Sequence, residues 1–298
     1  MLRKAGNIAP YIAWMVVLLF CGFVFYAMWT AGKNLRIEQQ YGAESQTSSA
    51  RMRFISALAL SKIWTSRVIE NQHEAESRLA IARTRGGTAV RAAVVRADLP
   101  YPPRKIFLRA FKREATLEAW AREDSGPFKL IAEYRVLASS GHPGPKRREG
   151  DRQVPEGFYE IERFNPESLF HLSLGLNYPN ESDRVLSDHE HPGNDIYIHG
   201  KAISIGCLPI GDSAIEELYL LALDVKERGQ KAIPVHIFPA RMHGAEWAAF
   251  AAEHTARNPA LARFWEQLQP AYDAFERDRR VPAFTVAPDG TYRVTPAP

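Results

Sequence analysis

Cysteine is nearly absent from this chain: Cys21 and Cys207 are the two in 298 residues. Neither a CxxC pair nor an HExxH run occurs, so neither a dithiol redox site nor a helix-borne zinc site is written in the sequence. No basic run is interleaved with aromatic residues, and a net charge of +4 with a pI near 9.0 is mild, so nothing predicts a nucleic-acid surface. An acidic partner is permitted by this charge without being required. With 46% apolar and 24% charged residues the chain is no disordered protein, and its length suits one large domain or a domain with appendages.

Charge is absent altogether from Ala5 to Gly32. Ile8 to Trp29 is apolar enough for a spanning helix of about 20 residues, and Arg3 and Lys4 before it place the N-terminus in the cytoplasm. A cleaved signal peptide is the competing reading, because small residues stand at Ala27 and Ala31. The run is long for a signal core and no A-x-A site follows, so an uncleaved anchor is the expectation. Cys21 lies inside it, and the bulky Leu18-Leu19-Phe20 before it does not suit lipidation. Cys207 is then alone outside the membrane, and a lone thiol in an oxidising compartment is a candidate for reactivity.

Around Cys207 the chain reads IYIHGKAISIGCLPIGD, residues 196 to 212. A cysteine nucleophile needs a base or a positive charge to form thiolate near neutral pH, and His199 is the nearest base in sequence. Ile196-Tyr197-Ile198 has strand character, and Gly200 and Gly206 allow tight turns beside the two groups. The amides of Gly206 and Cys207 are plausible oxyanion donors. A strict hairpin centred on Lys201-Ala202 would pair His199 with Ser204 and leave Cys207 about 10 Å beyond. A catalytic pair therefore requires residues 200 to 206 to curl back. A buried structural cysteine beside a core histidine is the plainer alternative. Ser213-x-x-Glu216 reads as a capping box opening a helix that presents Ile215, Leu218, Tyr219 and Ala222 and stops near Gly229.

The pattern His199-Gly200 followed by Ser204-Ile205-Gly206-Cys207 resembles the signature of the YkuD-type L,D-transpeptidases, cysteine enzymes of bacterial peptidoglycan. The short interval between histidine and cysteine, with GPKRREGDRQVPEGFYEI at 144 to 161 and YPNESDR at 178 to 184, resembles the YafK-like branch. The likeness spans roughly residues 103 to 242. It departs from the wider family in that interval and in SIGC-Leu208-Pro209-Ile210, which leaves donor and acceptor preference open.

The chain divides by composition into an anchor (1–33), a tether and helical segment (34–102), a β-rich domain (103–242) and a helical extension (243–298). Residues 51 to 85 carry a helical apolar stripe broken at Arg85-Gly86-Gly87. Strand signals fall at 105–111, 117–121, 128–137, 157–163, 171–176, 195–199 and 233–238, around a loop at 139–150. The tail reads as two helices split at Asn258-Pro259, with one further strand near Thr285 and Tyr292 to Val294. The fold class is therefore α+β, and the resemblance implies an L,D-transpeptidase-type β-sandwich with packed helices.

For the site, Lys146 in the GPK motif and Arg184 after Asp183 are candidates to bind stem-peptide carboxylates, with a solvated loop and an internal ion pair as the alternatives. Tyr178 and Gly200 are candidate cleft residues. Asp188-His189-Glu190-His191 could supply zinc ligands, but this spacing is weak and a polar loop is preferred. No metal and no cofactor is called for.

By resemblance, Cys207 attacks the L-centre carbonyl of diaminopimelate in a stem peptide, with His199 as base and Ser204 either orienting it or capping the loop. The acyl-enzyme then passes to an amine, as a transpeptidase, or to water, releasing peptide or a protein attached to peptidoglycan. A non-catalytic peptidoglycan-binding envelope protein is the reading from another class. The expected location is the bacterial inner membrane, with the catalytic domain in the periplasm.

Overall fold

A computed structural model describes residues 73–295. The expected anchor with Cys21, the tether, and residues 51–72 of the helical stripe lie outside the described residues. No helix among the described residues is long and apolar enough to cross a membrane.

A helical stretch over 73–85 turns at Gly86 and resumes as α1 (Gly87–Arg96). The Arg85-Gly86-Gly87 break is thus one turn, and helix follows where the sequence suggested an end. Gly86 has a packing reason: a Cβ there would lie 3.0 Å from the Glu217 amide nitrogen of the helix it crosses. Val90 and Val94 of α1 are buried against that helix and the sheet, so burial overrides the low helix propensity of this valine-rich stretch.

Eight strands form one sheet: β1 (Lys105–Phe111), β2 (Thr116–Arg122), β3 (Lys129–Arg135), β4 (Gly157–Asn165), β5 (Ser173–Leu176), β6 (Tyr197–His199), β7 (Leu208–Pro209) and β8 (Pro234–Phe238). Their order is β3-β2-β1-β8-β4-β5-β6-β7. Strand β4 joins the halves. Gly157 to Glu160 pair with β8, Ile161 to Asn165 pair with β5, and a register shift between Ile161 and Arg163 bends the strand where it changes partner. A short helix, α2 (Glu181–Leu186), separates β5 from β6 and carries a capping box that the sequence reading passed over, Asn180 with Asp183.

The mixed α+β class stands: the strands run as one curled ladder whose two halves share β4, and its central strand is covered by helices on both faces. Ile106, Leu108 and Ala110 of β1 belong to one core, with α1 and α3 (Asp212–Glu227), which buries Ile215, Leu218, Tyr219 and Ala222. Phe107 and Phe111 point the other way, Phe107 onto Phe275 and Phe111 towards Tyr272 of α5 (Pro259–Asp278). That helix follows α4 (Gly244–Thr255) and buries Leu261, Phe264, Trp265 and Leu268 at helical spacing. Side chains of this size, fully buried, are worth about 1.5–3 kcal/mol each before entropy is charged against them. A separate hairpin, β9 (Ala283–Val286) and β10 (Tyr292–Thr295), closes the chain, with Tyr292 buried on Phe158.

Helix α3 also corrects the capping-box reading. Its N-cap is Gly211 at φ 86°, without a side-chain cap bond, and Ser213 lies inside the helix. Glu216 turns inward to the ring of His171, 2.8 Å away, and Asp212 accepts the Lys201 amide. The chain leaves β7 at Ile210-Gly211, so the turn falls two residues before the serine that the pattern needs at its N-cap.

Candidate active site

The turn from β6 to β7 creates the site. Residues 200 to 207 loop fully around, so β7 runs parallel to β6 with Ile198 opposite Leu208 and His199 opposite Pro209. Cys207, in the bend just before β7, lays its sulfur against the Tyr197 amide and the Asp195 carbonyl, so the thiol and His199 come to one end of the β6 edge. Both line one cavity of about 480 Å³. Gly206, at φ 127°, is buried under the Gln153 carbonyl, 3.0 Å from where its Cβ would stand. This close approach seats the loop end that presents the thiol.

His199 is only 2% exposed, and its Nδ1 lies 2.6 Å from the Gly200 carbonyl. A carbonyl only accepts, so the proton sits on Nδ1 and Nε2 keeps its lone pair for another proton. Burial pulls the imidazole below its ordinary value, against the opposing pull of that carbonyl. The Phe170 ring, with centroids 4.7 Å apart, contributes to the apolar surroundings.

The Cys207 thiol is pushed up, chiefly by burial and with Asp195 adding to it, while the Tyr197 N–H and the charge of Lys146 pull it down. The thiol donates to the Asp195 carbonyl at 3.6 Å and accepts from the Tyr197 amide at 3.4 Å. The resting pair is therefore neutral thiol and neutral imidazole, with the Nε2 lone pair left open to a proton.

The sequence matches the YkuD family, described as the L,D-transpeptidase catalytic domain, over residues 114–237. It is 33% identical over 192 residues to YafK of Escherichia coli (strain K12), which carries a provisional L,D-transpeptidase name. That alignment covers 64% of this chain and 74% of YafK. The chain belongs to the YkuD family of L,D-transpeptidase catalytic domains. Among solved structures, the helical cell shape determining protein Pgp2 from Campylobacter jejuni aligns with a TM-score of 0.37 and 19% identity, over 61% of this chain and 73% of that one. Bd1075 of Bdellovibrio bacteriovorus aligns with a TM-score of 0.34 and 22% identity, over 58% and 60%.

Within this YkuD domain the remaining candidates separate. Gly200 stays at the site: its carbonyl holds His199, and a Cβ there would meet Asp212 Oδ1 at 2.5 Å and the Phe170 carbonyl at 2.7 Å. Ser204 caps the loop and does not orient His199. Its hydroxyl donates to the Cys207 carbonyl at 2.8 Å and accepts the Gly206 N–H at 3.1 Å, which takes the Gly206 amide away from an oxyanion role.

Lys146 is buried and does not line the cavity: Asp151, five residues on in the same loop, takes its ammonium at 2.5 Å and the Arg148 carbonyl takes it at 2.8 Å. Arg184 points to the Pro179 carbonyl, outside the cavity, while Asp183 pairs with Arg147. Tyr178 is buried, donates to the Pro192 carbonyl and does not line the cavity. The DHEH run is a polar turn in which Asp188 accepts the amides of Glu190 and His191, and no metal-holding cluster occurs among the described residues.

Sequence reasoning missed the walls of the cavity. Leu169, Ile203 and Ile205 line it while 84%, 63% and 78% exposed, and Phe170 and Asp195 line it as well. The signal was present in Ile203 and Ile205, large apolar residues in a glycine-flanked loop that no core claims. The Leu169-Phe170 loop is held from outside by two cations. Arg78 Nη1 donates to the carbonyls of Ser168 at 2.7 Å, His171 at 3.0 Å and Pro166 at 3.4 Å, and Lys201 Nζ donates to Leu169 at 2.7 Å. With its carbonyls turned to Arg78 and Lys201, the loop lays Phe170 over His199.

Proposed function

We propose that the protein is a peptidoglycan-remodelling cysteine acyltransferase that acts at the L-centre of diaminopimelate through a thioacyl-enzyme on Cys207. One observation carries the reading: Cys207 and His199 share a cavity, and the carbonyl on Nδ1 leaves Nε2 unprotonated on the histidine. Nε2 takes the thiol proton as sulfur attacks the carbonyl carbon. The oxyanion falls to the Cys207 amide, since Gly206 is engaged by Ser204. Collapse expels the amine leaving group, which takes the proton back from His199.

The thioacyl group then meets an amine, forming a cross-link, or water, giving hydrolysis and release of a peptide or attached protein. Among the described residues no lysine or arginine lines the cavity, and Asp195, the one carboxylate among those lining it, is tied to Arg163. A free terminal carboxylate finds no cationic partner there, which favours an amide whose leaving group continues into further chain.

The muropeptide profile of peptidoglycan, with and without attached protein, tests this after incubation with the full chain and with Cys207→Ala. New cross-links that the variant does not make establish the transpeptidase. Cysteine-dependent loss of attached peptide or protein establishes the hydrolase. Identical profiles with both proteins refute acyl transfer and leave a binding module.

A further inference from the structure

A second cavity, of about 520 Å³, lies between the 143–153 loop and the start of α5. None of its lining residues is an aspartate or glutamate, whereas Arg147 and Arg263 both line it. Arg147 spends Nη1 on Asp183 at 3.0 Å and lies over the Phe264 ring. The Arg263 guanidinium has no partner among the described residues.

Three amide side chains complete the wall, and each has its oxygen engaged. Asn258 Oδ1 accepts the Leu261 amide, Gln153 Oε1 accepts the His142 amide, and Gln267 Oε1 accepts the Tyr292 amide. The NH2 groups are what remain: those of Asn258 and Gln153 have no partner among the described residues, and that of Gln267 has spent one hydrogen on the Arg263 carbonyl. The cavity is thus rich in donors and free of lining carboxylates, on an apolar floor that includes Phe264.

We propose that this cavity binds an acidic peptide, with a carboxylate clasped by Arg263 and Arg147. A guanidinium matches a carboxylate through two parallel N–H bonds. The apolar floor and the volume suit the chain that carries the carboxylate and would be wasted on a bare inorganic anion. The placement gives the site a bearing on catalysis, since Gln153 lines this cavity with its side chain and seats Gly206, next to the nucleophile, with its carbonyl. Arg147 and Gln153 lie inside the stretch that matches the YkuD family and Asn258, Arg263 and Gln267 outside it, so the site is built jointly by the family domain and the segment that follows it.

The test uses the full chain in detergent carrying Cys207→Ala, so that binding is read without turnover and a failure of the acyl-transfer reading leaves this result standing. The probe is the tripeptide alanyl-γ-D-glutamyl-diaminopimelate, measured by calorimetry beside its fully amidated form and inorganic phosphate. Binding that weakens about tenfold in Arg263→Gln, recovers in part in Arg263→Lys, persists in Phe170→Ala and is lost on amidation supports the proposal. Each of the following overturns it: no binding of the acid tripeptide, equal binding with Arg263→Gln, or a loss confined to Phe170→Ala, which would place the peptide in the Cys207 cleft. Phosphate displacing the tripeptide at equal concentration also overturns it, since the site would then read charge alone.

Discussion

Removing Arg78 should disable a site that Arg78 does not touch. Its guanidinium is the shared donor for the carbonyls of Pro166, Ser168 and His171, and its side chain is 25% exposed. A buried hydrogen bond from a charged group is worth about 1.5–3 kcal/mol. One of the three bonds is long and the site is part-open, so Arg78→Ala should free the Ser168–His171 loop by about 2 kcal/mol in all. That is roughly a thirtyfold shift toward the open loop, an upper bound on the fall in kcat/KM. For a domain of this size it lowers Tm by about 4–8 °C, so most of the protein stays folded under assay.

A second readout separates positioning from general damage. With Phe170 released, His199 is rehydrated, and the acid limb of the pH–rate profile should move up toward the ordinary histidine value. Arg78→Lys keeps the charge without the fork and should fall between the two. Wild-type kcat/KM in Arg78→Ala, or a loss with an unmoved acid limb, would refute this chain of reasoning.

Other predictions follow from the same geometry. Because burial holds His199 below 6.5 and the reaction needs it neutral, kcat/KM should fall only as pH drops through that depressed value; an acid limb at or above 6.5 would contradict the assignment. Gly200→Ala drives a Cβ into Asp212 and the Phe170 carbonyl and should cost about 1–3 kcal/mol in denaturant unfolding, with activity lost beyond the stability effect. Asp183 is raised to about 6, first by burial, with Arg147 and Tyr159 opposing. A carboxyl whose folded value exceeds its unfolded one contributes stability at low pH and loses it as pH rises, here between about 4 and 6, so Asp183→Asn should flatten the pH dependence of unfolding in that window.

How far the sequence could be read depended on whether a signal was local. Lys105 to Phe111 alternates, and β1 has the predicted bounds; Asn258-Pro259 splits the tail helices because the asparagine caps Leu261 and proline suits a first turn. The curl of residues 200 to 207 could be stated as a requirement, since the alternative hairpin separates the histidine from the thiol. What failed was relational. Lys146 read as a surface cation because its partner Asp151 is visible only once the loop folds onto itself. Ser213-x-x-Glu216 has the letters of a capping box, but the chain turns at Gly211. Arg78, in a helix before the domain, gave no sign that it would meet backbone some 90 residues away. The two halves of the sheet share β4 and contribute to one core together with α1 and α3, a relation between distant strands that alternation within each strand does not reveal.

The central claim is a covalent thioacyl-enzyme on Cys207, and intact-mass spectrometry of the full chain, quenched with acid during incubation with soluble stem-peptide fragments, tests it most directly. The account predicts a mass increase equal to the acyl fragment, mapped to the peptide bearing Cys207, absent in Cys207→Ala and slow to appear in a His199→Ala variant. Turnover of the fragments with no adduct at Cys207, continuing undiminished in Cys207→Ala, would contradict it.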